Sequence, residues 1–140
     1  MSSRRLEDLH PLMRPLVDAF LKACAREGID LLVTCTYRSD EEQARLYAQG
    51  RTRPGPRVTN AKPGQSMHNF RFNGKPASLA VDVVPLANGK PVWSATAPVW
   101  QQVGRLGEAA GLEWAGRWKR FREFPHFQHP HAKSVRLSVN

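Results

Sequence analysis

An α+β fold, with about three helices set beside a small, mostly antiparallel sheet, is predicted by three observations. Apolar residues recur at helical spacing in separate segments, and short β-branched runs bounded by Gly, Pro and Asn lie between them. The strands also lack the regular alternation with helices that parallel crossovers require. At 140 residues the chain is expected to form one domain over 1–140, with a basic C-terminal tail.

The first helix is predicted over 10–27. Leu12, Leu16, Phe20 and Cys24 recur every fourth residue, flanked by Met13, Val17 and Leu21, and Gly28 stops the run. Pro11 suits a first turn, and Pro15 moves the start later. His10, just before it, reads as a cap or surface residue. "IDLLVTCTYR" supplies a buried strand over 29–36. A second helix follows in "SDEEQARLYAQG", where Ser39 and Glu42 form a capping-box pattern and Gly50 closes the end. Residues 51–65 are polar, basic and rich in Pro and Gly, the composition of a long functional loop. "SLAVDVV" is a strand, and Asn88-Gly89 turns it into a short second one. A third helix is expected over 97–110, capped by Thr96, begun by Pro98, stopped by Gly111, and buried through Val99, Trp100, Val103, Leu106 and Ala110. Short strands near 112–114 and 126–128 complete the chain.

The net charge of +9 is unevenly spread. No acid lies between Glu42 and Asp82, while Arg45, Arg51, Arg53, Arg57, Lys62, Arg71 and Lys75 do. A second block holds Arg117, Lys119, Arg120, Arg122, Lys133 and Arg136, opposed by Glu123. Such a surface favours a polyanion: nucleic acid, anionic lipid or an acidic wall polymer. No nucleic-acid motif accompanies the charge. No apolar run approaches the ~20 residues of a membrane span, and no signal-peptide core follows Arg4 and Arg5, so cytoplasmic residence is expected. Cys24 and Cys35 then read as reduced, buried small hydrophobes.

Asp82 sits inside the apolar run "LAVDVV". A carboxylate there is costly to bury unless it is paired or binds a metal; its bland alternative is a solvent-facing strand position. Five histidines are available: His10, His68, His126, His129 and His131. Two histidines and one carboxylate, with a fourth position open, make a common catalytic zinc composition. Residue chemistry alone leaves His129 and His131 in contention with His68 and His126.

The ordered pieces "TYRSDEEQARLYAQGRTRPGPRVTNAKPGQSMHN", "LAVDVV" and "GLEWAGRWKRFREFPHFQH" resemble the zinc peptidases of the D-Ala-D-Ala carboxypeptidase/L-alanyl-D-glutamate peptidase group, peptidase family M15. The likeness is nearest to small phage and prophage endolysins. It implies a hedgehog/DD-peptidase-like fold and one zinc ion held by His68, Asp82 and His126, with His129 and His131 as bystanders. It further implies Glu123 as general base, Arg38 as a catalytic and substrate-binding cation, Ser66 near the substrate, and Gln43 as a brace. The bland readings are a surface charge for Glu123 and a strand-end arginine paired with Asp40 for Arg38. Trp114 and Trp118 read as core or cleft walls; the family more often has "WGGDW" where this chain has "WAGRW". The family also places the aspartate shortly after the histidine, as in H-N-x-G-x-A-x-D. Here "NFRFNGKPASLAV" intervenes, an apparent hairpin insertion over 69–81 that leaves and re-enters the sheet, with Asn73-Gly74 at its tip.

The implied activity is hydrolysis of the L-alanyl-D-glutamate bond of the peptidoglycan stem by a monomer. The enzyme would be a single catalytic domain over 1–140 with no separate wall-binding domain, would await holin-type release in the host cytoplasm, and would attach by charge to an anionic envelope. The rivals are a D-Ala-D-Ala carboxypeptidase or dipeptidase on the same fold, and a basic non-enzymatic nucleic-acid-binding module.

Overall fold

The structure is a computed structural model that describes residues 2–120 and 122–137. Its elements are, in order, α1 (Arg14–Arg26), β1 (Asp30–Cys35), α2 (Asp40–Ala48), β2 (Arg71–Phe72), β3 (Lys75–Pro76), β4 (Ala80–Ala87), β5 (Lys90–Pro91), α3 (Val99–Ala109), β6 (Glu113–Trp114), β7 (His126–Gln128) and α4 (Ala132–Leu137). The α+β expectation holds, with α4 as a fourth helix within the expected basic tail.

β4 is the centre of the main sheet. The strands run β1-β4-β7-β6, β5 pairs with the far end of β4, and every pairing is antiparallel. A central strand has both faces covered, so Ala80, Val81, Val83 and Val84 are all buried. That removes the half-exposed strand as an explanation of Asp82. Alternation sends Val81, Val83 and Phe127 to one face, where Met13, Val17, Phe20 and Cys24 of α1 and the turn before it and Val103 of α3 close the core. Two glycines let α3 lie close to this layer. A Cβ on Gly104 would meet Trp114 at 2.3 Å, and one on Gly107 would meet Phe127 at 2.4 Å.

Several boundaries differ from expectation for local reasons. α1 starts at Arg14 because residues 10–13 form a tighter turn, and Pro15 takes the first-turn position. His10 is not a surface residue. It is 7 % exposed, accepts from the Leu12 N–H through Nδ1, and packs against Phe70 and Phe72. Ser39 caps α2 by accepting from the Glu42 N–H. Thr96 does not cap α3: its hydroxyl meets Ser94, and the position before the helix is Pro98. The insertion does form a hairpin turned by Asn73 and Gly74, both at positive φ. It is a separate two-stranded sheet rather than an excursion of the main one, because its strands pair only with each other and Phe72 leans on His10.

Candidate active site

The register of the main sheet assembles half of the site. Asp82 of β4 lies directly opposite His126 of β7 on one side and Cys35 of β1 on the other. All three therefore point to the face away from α1. His68 arrives from a separate 3₁₀ turn, Met67–Asn69, capped by Ser66, whose Oγ accepts from the His68 N–H at 3.2 Å. Asn69 ties this turn down, donating to the Arg38 carbonyl and accepting from the Gly64 and Ser66 N–H groups.

His68 Nε2 and His126 Nδ1 each lie 3.1 Å from Asp82 Oδ1, and 3.2 Å from one another. The outer nitrogen of each ring is engaged elsewhere. His68 Nδ1 donates to the Thr36 carbonyl at 2.8 Å, and His126 Nε2 donates to Gln128 Oε1 at 2.9 Å. A carbonyl oxygen only accepts, so these contacts fix the tautomers and turn a lone pair from each ring toward Asp82. Two lone pairs and a carboxylate oxygen at such separations repel unless a cation joins them, either a proton or a metal ion.

For the proton case, burial pushes His68 down, but the adjacent Asp82 carboxylate more than offsets this and lifts it to about 10. Burial likewise pushes Asp82 up, and the two imidazoles overcome it, holding the carboxyl well below its usual range. The metal case fits the donor set. Donors ~2.0 Å from a tetrahedral ion lie about 3.3 Å apart, near the three observed separations, and the outer-nitrogen contacts are the usual support of metal-binding histidines. Cys35 Sγ, with His68 and Asp82, also belongs to a group of atoms within 4.8 Å of one another. It meets His68 at Nδ1, 3.6 Å away, the nitrogen already donating to Thr36. The inward-facing donor atoms are therefore those of His68, Asp82 and His126.

The remaining predicted residues surround a cavity of about 680 Å³ that contains His68, Asp82, Glu123, His126, Arg38 and Ser66 on its walls. Glu123 is pushed upward chiefly by burial, partly countered by His126. Arg38 does not depend on Asp40. Its guanidinium donates to Gln43 Oε1 at 3.1 Å and lies 3.6 Å from Asp82, while its buried Nε has no partner among the described residues. Gln43 is wholly buried and also donates to the Ala61 carbonyl and Thr59 hydroxyl, bracing Arg38 against the 51–65 loop. Trp118 forms cleft wall, its ring 5.6 Å from His126, whereas Trp114 is core. Arg117 is held by Glu108. His129 and His131 pair with each other, away from the triangle.

Residue-level reading missed Gln128, the Thr36 carbonyl and the proximity of Cys35. Gln128 had a usable signal: on an extended strand it shares a face with His126. The other two depend on how β1 ends.

The sequence profile described as D-alanyl-D-alanine carboxypeptidase matches residues 59–129. The peptidoglycan L-alanyl-D-glutamate endopeptidase CwlK of Bacillus subtilis (strain 168) is 36 % identical over 129 residues, covering 86 % of this chain and 73 % of that protein. The crystal structure of the Serratia marcescens L-Ala D-Glu endopeptidase ChiX matches with a TM-score of 0.63 at 20 % identity, over 96 % of this chain and 92 % of that one. VanYB in complex with D-alanine-D-alanine matches with a TM-score of 0.60 at 17 % identity, over 93 % and 77 %. At those identities the two structures speak for the fold alone.

Proposed function

Because the chain belongs to the M15 peptidases, we propose that it is a zinc-dependent endopeptidase cutting the L-alanyl-D-glutamate bond of the peptidoglycan stem. The observation that carries this reading is the His68–Asp82–His126 triangle, with Glu123 on the wall of the same cavity. Likeness to CwlK over most of the chain supports the choice of bond.

His68, Asp82 and His126 would hold the zinc ion, which when bound supplies Lewis acidity toward the scissile carbonyl and toward water. The Glu123 carboxylate accepts a proton from the attacking water and returns it to the leaving amine of the glutamyl residue. Burial of Glu123 favours its protonated form, which helps the second of these transfers. Arg38, held by Gln43, presents its guanidinium charge to the oxygen that gains charge at the carbonyl. Ser66 accepts from the His68 N–H and keeps its own hydroxyl proton for the substrate. The net charge of +9 supports residence on an anionic envelope, and with it the lytic setting of a phage or prophage endolysin released from the cytoplasm.

The test is a digest of purified peptidoglycan with and without chelator, the new termini being identified by mass spectrometry. New amino-terminal glutamate that disappears with chelator is expected. Release of free D-alanine without it would instead establish the carboxypeptidase that the family description names. Cleavage unaffected by metal removal would overturn the zinc assignment.

A further inference from the structure

A second cavity, of about 360 Å³, opens beside the first and shares Asp82, Glu123 and His126 with it. A substrate lying across the site therefore runs from one cavity into the other. Their walls differ in chemistry. The first carries Arg120 and Lys133, which form no ion pair among the described residues. The second is walled by Trp93, Trp100, Phe124 and Pro125, with Arg122 as its cation.

One of these side chains calls for a ligand. Trp93 is 58 % exposed, so an indole face stands open to water on the wall of a cleft. Trp100 is only 1 % exposed, yet its Nε1–H has no acceptor among the described residues. That donor is closed to solvent, so the open recognition surface of this cavity is the Trp93 indole.

We infer that this cavity receives the acyl side of the substrate together with its sugar, so the preferred substrate is a stem peptide still joined to the muramic residue. The inference rests on the peptidase reading above. In intact wall, the L-alanine nitrogen is acylated by the lactyl group of the muramic sugar. That acyl side is neutral: it sets an uncharged amide against the apolar wall and offers the C–H face of a pyranose to Trp93. The glutamyl side carries carboxylate and suits the cavity holding Arg120 and Lys133. A free peptide puts an ammonium in the cavity that holds the Arg122 cation, and leaves Trp93 uncovered by a sugar.

The experiment compares kcat/KM for an N-acetylmuramoyl peptide and for the same peptide without the sugar, using zinc-loaded wild type, W93A and W93F. Wild type is expected to favour the muramoyl substrate by about tenfold, the effect of covering several tens of Å² of apolar surface. W93A should bring that ratio to within about twofold, and W93F should keep most of it. Quenching of tryptophan fluorescence by N-acetylmuramoyl-L-alanine, but not by N-acetyl-L-alanine, gives a binding readout independent of turnover. Equal cleavage of both substrates by wild type overturns the inference. So does a W93A variant that lowers both rates alike with the preference intact. Cleavage of neither substrate removes the underlying peptidase reading, and this inference falls with it.

Discussion

Replacing Gln128 with leucine tests whether His126 is held as a donor through its outer nitrogen. Gln128 Oε1 accepts from His126 Nε2 at 2.9 Å, and His126 is only 8 % exposed. Leucine keeps the approximate size of the side chain but removes the acceptor. Leaving a buried N–H unpaired costs about 1–3 kcal/mol. Loss of the orienting partner of a metal-binding histidine typically lowers affinity 10–100-fold, or about 1.4–2.8 kcal/mol. The two routes agree, so zinc affinity should fall by one to two orders of magnitude. Q128E should preserve or raise it, because a carboxylate is a stronger acceptor for the same N–H. Competition against a chromogenic chelator measures the affinity, and unfolding of the metal-free variants reports whether the fold is intact. A folded Q128L protein binding zinc within about twofold of wild type would refute the assignment of His126 Nδ1 to the metal.

E123Q should retain stoichiometric zinc while kcat on peptidoglycan falls by about 10²–10⁴-fold; a variant with wild-type turnover removes Glu123 from proton transfer. In metal-free protein, burial lowers His68 but Asp82 lifts it to about 10, above the ~6.5 of an unfolded chain. The stability this contributes is fully present below pH ~6.5 and is lost as pH rises through about 10. Asp82, burial notwithstanding, is depressed by the imidazoles, so its contribution is present above pH ~4 and lost as pH falls through its folded value. Urea midpoints of the metal-free protein between pH 5 and 10 check the first of these, and a midpoint that climbs above pH 6.5 contradicts it. G107A places a Cβ 2.4 Å from the Phe127 ring and should destabilise by about 1–3 kcal/mol in denaturant unfolding; an unchanged midpoint would mean that α3 retreats freely from the sheet.

Elements whose signals are local were readable from the residues. The helical apolar periodicity of α1, the Ser39 cap of α2, the Asn73-Gly74 and Asn88-Gly89 turns and the strand His126–Gln128 all appear in the structure. Each depends on side-chain periodicity or on backbone conformations that neighbours in sequence decide. The buried stripe of α1 is Val17, Phe20 and Cys24, whereas the expected Leu12 lies before the helix and is exposed. The α3 cap was misread because Thr96 had a nearer partner in Ser94, a competition between two local contacts that composition does not rank.

The convergence of His68, Asp82 and His126 has another origin. Asp82 and His126 meet because antiparallel register sets them side by side, and a slip of one residue would send both to the opposite face. His68 meets them from outside the sheet, through a turn pinned by Ser66 and Asn69. Which ring nitrogen faces inward was decided by the Thr36 carbonyl and by Gln128, partners far apart along the chain in one case and adjacent on a strand in the other. The sequence by itself determined the chemical inventory: several imidazoles, a carboxylate within an apolar strand and a second carboxylate at Glu123. Only the tertiary structure decided their separations and tautomers and joined them to an indole-lined cavity, because distances between groups remote in sequence follow from register and packing.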